Sequence, residues 1–126
     1  MTSAAFVNAL NQNAGNVLSP AEFSAAINAF GPPPAGGNSN NVSARAQVLR
    51  QVAEDQDLFK AEANRAFVLT EYFGYLRRNP NDAPDNEYGG FDFWLNKLNE
   101  NNGDYVKAEM VKAFIASPEF RQRFGQ

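Results

Sequence analysis

Helix starts and stops recur along this chain more often than any other signal, and they leave little room for a sheet. Ser19-Pro20-Ala21-Glu22 is a capping box with proline at the first helical position. Ser117-Pro118-Glu119-Phe120 repeats the serine cap and the proline. No apolar–polar alternation is sustained and β-branched residues do not cluster, so strand signals are poor. Between the punctuation marks, apolar residues fall at helical spacing. Phe6, Val7 and Leu10 form one stripe; Phe23, Ala26, Ile27 and Phe30 form the next, stopped by Gly31. Val48, Leu49 and Val52 mark a helix over about 44–54.

The longest predicted helix runs over about 57–78. Leu58, Phe59, Ala63, Ala66, Phe67, Leu69, Tyr72, Phe73 and Leu76 wrap more than half its circumference, as in a helix touched on several sides. Arg77 and Arg78 fall in its last turn, at the negative end of the dipole, and Pro80 ends it. Phe91, Trp94, Leu95 and Leu98 form a further stripe, closed by Asn102-Gly103. Asp104 can cap a helix whose face carries Val106, Met110, Val111, Phe114 and Ile115. The expected fold is therefore all-α: a compact bundle of about seven helices with one long central helix. Its expected core includes Phe67, Tyr72, Phe73, Trp94, Leu98, Met110, Phe114 and Phe120.

At 126 residues one domain is the default, and the chain is long enough to bury a core without staples. Gly31 to Asn41 holds three prolines and three glycines and reads as a linker. The expected organisation is a single domain, 1–126, with an N-terminal helix pair over 1–31, a linker over 32–42 and a main helical unit over 43–126. Asn41-Val42-Ser43 matches a glycosylation acceptor pattern. Phe6-Val-Asn-Ala-Leu10 through Gly15 also echoes Trp94-Leu-Asn-Lys-Leu98 through Gly103, as a degenerate duplication would. Unrelated amphipathic helices also align in this way when gaps are allowed.

Composition narrows function. The chain has no cysteine and no histidine. It therefore has no thiolate nucleophile, no imidazole base and no Cys or His zinc cage. With 11 Lys+Arg against 14 Asp+Glu, its net charge of −3 argues against a nucleic-acid partner. No apolar run approaches a membrane span, and Met1 to Phe6 lacks the basic region of a signal peptide. A fragment of a longer secreted protein fits these features as well as a complete chain does. The lack of cysteine does not decide location.

The densest polar chemistry lies in loop 79–92, with Asn81, Asp82, Asp85, Asn86, Glu87 and Asp92. Hard oxygen ligands could hold Ca²⁺, with Asp82, Asp85, Glu87 and Asp92 as candidates. The EF-hand spacing does not fit, and Pro80 and Pro84 restrict the backbone. The plainer reading has Asp82 and Asp85 capping turns and helix starts and meeting Arg77 or Arg78. No cofactor is expected beyond that possible Ca²⁺. Trp94 could offer a glycan a stacking surface, but its stripe places it in the core with its indole N–H bonded to the loop. Tyr88 is the better candidate for exposure. Acidic pairs such as Glu54/Asp55 and Asp85/Glu87 read as solvated charges rather than as the opposed carboxylates of a hydrolase.

Tyr72-Phe73-Gly74-Tyr75-Leu76-Arg77-Arg78, Pro80, Asp82, Gly90-Phe91-Asp92-Phe93-Trp94 and Ser117-Pro118-Glu119-Phe120 together resemble a bacterial family of domains of unknown function. That family occurs in large secreted and surface proteins and is similar to phycobilisome linker domains. The resemblance covers about residues 60–125. Arg77 stands where the family has glycine, Asn81 separates Pro80 from Asp82, Phe93 replaces a tyrosine, and the loop before Gly90 is longer. The resemblance implies a non-enzymatic helical module outside the cytoplasm, with no catalytic residue to carry over. The expected function is interaction or assembly in a bacterial secreted or cell-surface protein. Loop 79–90 would present Asn81, Asp82, Asp85, Glu87 and Tyr88 to a protein or envelope partner.

Overall fold

The computed structural model describes residues 1–32 and 38–125. Among these it holds seven α-helices and no strand, only an isolated bridge between Thr2 and Asn38. The helices are α1 (Ser3–Asn13), α2 (Pro20–Asn28), α3 (Val42–Ala53), α4 (Gln56–Glu71), α5 (Gly89–Glu100), α6 (Met110–Ala116) and α7 (Pro118–Phe124). A π-turn, Tyr72–Leu76, follows α4 directly. None of the helices is long and apolar enough to cross a membrane.

The chain divides into two compact units, Met1–Phe59 and Lys60–Gln126. In the first, Val7, Leu18, Ala26, Phe30, Ala44, Val48 and Val52 form the core, so α3 packs with α1 and α2. The division therefore falls inside α4 and not at the Pro/Gly segment, where the sequence suggested a break. Of that segment, residues 33–37 lie outside the described residues. Sequence punctuation works here as expected. The Ser19 hydroxyl accepts from Glu22 N–H at 3.3 Å, and Glu22 accepts from Ser19 N–H at 2.8 Å. Asn41, in the acceptor pattern, caps α3 by accepting from Ala44 N–H at 3.1 Å. One buried link was not foreseen: Asn11 accepts from Leu18 N–H at 3.0 Å and ties the α1–α2 connection to α1.

In the second unit, Val68, Tyr72, Leu76, Leu98, Ala108, Met110 and Phe114 are buried together, with Phe67, Trp94 and Phe120 packed against them half-buried. Two expectations change. The inward face of α4 is a narrow stripe, Asn64, Phe67, Val68, Glu71, Tyr72, Tyr75 and Leu76, with Val68 fully buried at its centre. Phe73, expected in the core, is 47% exposed. Five residues beyond Val68, it stands about 140° round the helix from it. Phe59 and Leu69 are exposed for the same reason. The second change concerns residues 104–109. Asp104 accepts from Val106 and Lys107 N–H, capping an isolated turn rather than a helix. Glu109 then takes a left-handed conformation and α6 starts only at Met110, leaving Val106 and Ile115 exposed.

The α1 and α5 ends close alike. Asn16 N–H donates to Asn11 O at 2.7 Å, and Gly103 N–H to Leu98 O at 2.9 Å. Both donors sit at positive φ. At Gly103 the need for glycine is also steric, because a Cβ there would lie 2.9 Å from Asn64 Oδ1. These closures match Asn16 with Gly103, one residue out of step with the echo read from the sequence.

Glu71 is 6% exposed and its Oε2 is buried with no hydrogen-bond partner among the described residues. Burial alone raises its pKa above the usual carboxylate range. A carboxyl with a raised folded-state pKa favours folding below its unfolded value of about 4.3, and that contribution is lost as pH rises through the folded value. Glu71→Gln is therefore expected to stabilise the chain by about 1 kcal/mol at pH 7. The gain should vanish near pH 4 in urea titrations run at both pH values; an equal effect at both would contradict a charged buried Glu71.

Candidate functional site

The site grows from the end of the α4 ladder. Past the π-turn, Arg77 adopts a left-handed conformation (φ 55°) and the chain turns sharply. Arg77 itself lies outside, its guanidinium 5.8 Å from the Phe124 ring centroid. The same turn directs Arg78 inward, where it is 8% exposed.

Arg78 carries five N–H donors in a rigid fork, and all are engaged. Nε donates to Glu119 Oε1 at 2.7 Å, and Nη2 to Glu119 Oε2 at 3.1 Å and Asp85 Oδ2 at 2.6 Å. Nη1 meets the carbonyls of Asn79, Pro80 and Asp82 at 3.1, 3.3 and 3.1 Å. The guanidinium also lies 5.2 Å from the Tyr72 ring centroid. One side chain thus binds the π-turn, loop 79–88 and α7. The Glu119 hydrogen bonds, then those of Asp85, raise the Arg78 pKa further while burial opposes them. Burial first, and the Asp85 charge next, raise that of the Tyr72 hydroxyl.

Asp85 meets Arg78, one of the two partners proposed for it. Asp82 acts as a turn cap: its Oδ2 accepts from the Asn79 backbone and side-chain N–H at 2.9 and 3.0 Å. Asn81, Asp82, Glu87 and Tyr88 are exposed, and Tyr88 touches the edge of Phe91. Asp92 lies exposed in the first turn of α5. Among the described residues no three carboxylates gather closely enough to hold a metal ion, the four calcium candidates included.

Trp94 packs on Phe114 at 5.6 Å between centroids, with Phe93 edge-on and the Lys97 ammonium 5.3 Å from its centroid. It is half-buried, and among the described residues its indole N–H makes no hydrogen bond to the loop. A cleft of about 230 Å³ opens beside it, walled by Tyr72, Leu76, Gly90 and Phe114, with Asp85 and Glu119 at its polar side. Gly90 is bare for a reason: a Cβ there would stand 2.7 Å from the Tyr72 hydroxyl.

Glu119, Gly90 and Ser117 were not among the candidate residues. Glu119 lies 41 positions from Arg78, and local spacing says nothing of such a pairing. The Ser-Pro cap was the only signal, because it starts α7 and so sets Glu119 in place. Ser117 Oγ accepts from Phe120 N–H at 3.1 Å and donates to Phe114 O at 2.7 Å. Ser117→Ala is expected to cost about 1 kcal/mol, read as a lower urea midpoint at unchanged slope.

Compared with protein-family models, curated proteins and solved structures, the chain matches none.

Proposed function

We propose that this chain is a non-catalytic helical interaction module of a bacterial secreted or cell-surface protein, and that loop 79–92 is the part that meets a partner. One observation carries the reading: the loop is fixed from within by Arg78 while Asn81, Asp82, Glu87 and Tyr88 face outward. A loop whose backbone carbonyls and one carboxylate are bound from inside presents its outer side chains without much ordering cost on association. Catalysis finds less support. Both oxygens of Glu119 and one of Asp85 are taken by the same guanidinium, so this carboxylate pair is not an acid and a base set across a substrate. The bacterial, extracytoplasmic setting rests on the family resemblance of residues 60–125.

The test is a photo-crosslinking amino acid placed at Tyr88, with a control at Glu62, an exposed position on α4. Exposed to envelope proteins, the Tyr88 probe should give a defined adduct and the Glu62 probe none. Equal labelling at both positions, or none at either, would refute the reading.

A further inference from the structure

The turn that closes α5 is built from a dipeptide prone to lose its side-chain amide. Of the chain's asparagines only Asn102 precedes a glycine. Gly103 has no Cβ to shield its backbone nitrogen from the Asn102 side-chain carbonyl. Asn102 is exposed, and its side chain makes no hydrogen bond among the described residues. The fold nevertheless requires this pair. Asn102 has φ 53° and Gly103 φ 79°, a conformation that asparagine and glycine take more readily than other residues. The Asn64 side chain also fills the space that a Cβ at 103 would need.

In deamidation, Gly103 N gives its proton to base and attacks Asn102 Cγ. The bond from Cγ to the side-chain nitrogen breaks, and ammonia leaves. Water then opens the cyclic imide at one carbonyl or the other. The product is aspartate, or isoaspartate with the side-chain carbon drawn into the backbone. The folded turn withholds the nucleophile. Gly103 N–H is held by Leu98 O at 2.9 Å, and Leu98 is 1% exposed. Asn64 stands against Gly103 and donates to Asn99 Oδ1 at 2.8 Å. Reaction therefore waits until the end of α5 opens. Neither product rebuilds the turn as it was. Isoaspartate puts an extra backbone atom before Gly103 N and carries its N–H away from Leu98 O. Aspartate places a negative charge at the C-terminal end of α5, where the helix dipole opposes it.

We propose that Asn102 is a deamidation site gated by the Gly103–Leu98 hydrogen bond, and that its modification irreversibly loosens the end of α5.

The test is peptide mapping by mass spectrometry of the intact chain aged at mildly alkaline pH, beside a free peptide spanning 98–107. Conversion in the folded chain should be about tenfold slower than in the peptide, because a backbone hydrogen bond must be given up first. In urea Asn102 should react as fast as the peptide and faster than any other asparagine. Asn64→Ala should speed conversion in the folded chain and change nothing in urea. In the isoaspartate form, hydrogen exchange at Gly103 should be faster than in the unmodified chain. A folded-chain rate equal to that of the peptide, or one that Asn64→Ala leaves unchanged, would overturn the gate. No conversion at Asn102 in the aged folded chain, or no preference for Asn102 in urea, would overturn the site. Unchanged exchange at Gly103 in the isoaspartate form would overturn the loosening.

Discussion

Arg78→Ala is expected to destabilise the chain by about 3–5 kcal/mol, the usual cost of deleting one member of a buried, hydrogen-bonded charge group. The penalty does not come from the ion pairs alone. Removing the guanidinium strands the Asn79, Pro80 and Asp82 carbonyls, takes from Asp85 its ion-pair partner, and leaves Glu119 with Arg123 alone at 3.6 Å. Each buried acceptor left unmade costs about 1–3 kcal/mol. Arg78→Lys keeps the charge but offers one ammonium in place of a fork, so it should recover only part of the loss. Urea unfolding gives the magnitude. Hydrogen exchange gives the pattern, with faster exchange concentrated in residues 79–88 and at the start of α7. A variant that lost less than about 1 kcal/mol, with loop exchange unchanged, would show that the loop is held by something other than Arg78.

The parts of this architecture that were legible are those written locally. Caps at Ser19 and Ser117 and the stripes of α1, α2 and α5 depend on neighbours a few residues away. The all-α class follows from them. The register of α4 was misread because its apolar residues exceed what one face can hold: Phe59, Leu69 and Phe73 have the chemistry of core residues and the wrong angle. Glu71, whose chemistry says surface, has the inward angle instead. The turn at 104–109 was taken for helix because Val106, Met110 and Phe114 share helical spacing, which says nothing about a left-handed Glu109 between them. For the site, the loop and its carboxylates were visible as composition. The node was legible in part: Arg78 read as a helix-dipole partner that could meet Asp85, as it does, but its meeting with Glu119 depends on how α7 is placed. Long-range pairing of charges leaves no periodicity to read.

That correction of register has a measurable consequence, which separates the two faces of the second unit. Leu98→Ala is expected to cost about 3–4 kcal/mol, while Phe73→Ala, the larger truncation, should cost under about 1 kcal/mol. Leu98 is 1% exposed and lies in the cluster of Val68, Tyr72, Met110 and Phe114, so truncation both forfeits its burial and leaves a cavity. Its carbonyl also accepts from Gly103 N–H, so slackening around it reaches the turn that closes α5. Phe73 leaves the π-turn on the opposite side, with nearly half its surface already in water, and its loss removes little contact. The comparison is made by urea denaturation of both variants with matched slopes, so that a change in midpoint reports stability alone. Similar losses at the two positions would mean that α4 presents a broad apolar face after all. The narrow stripe through Val68, and the inward setting of Arg78 that follows from where the ladder ends, would then both have to be redrawn.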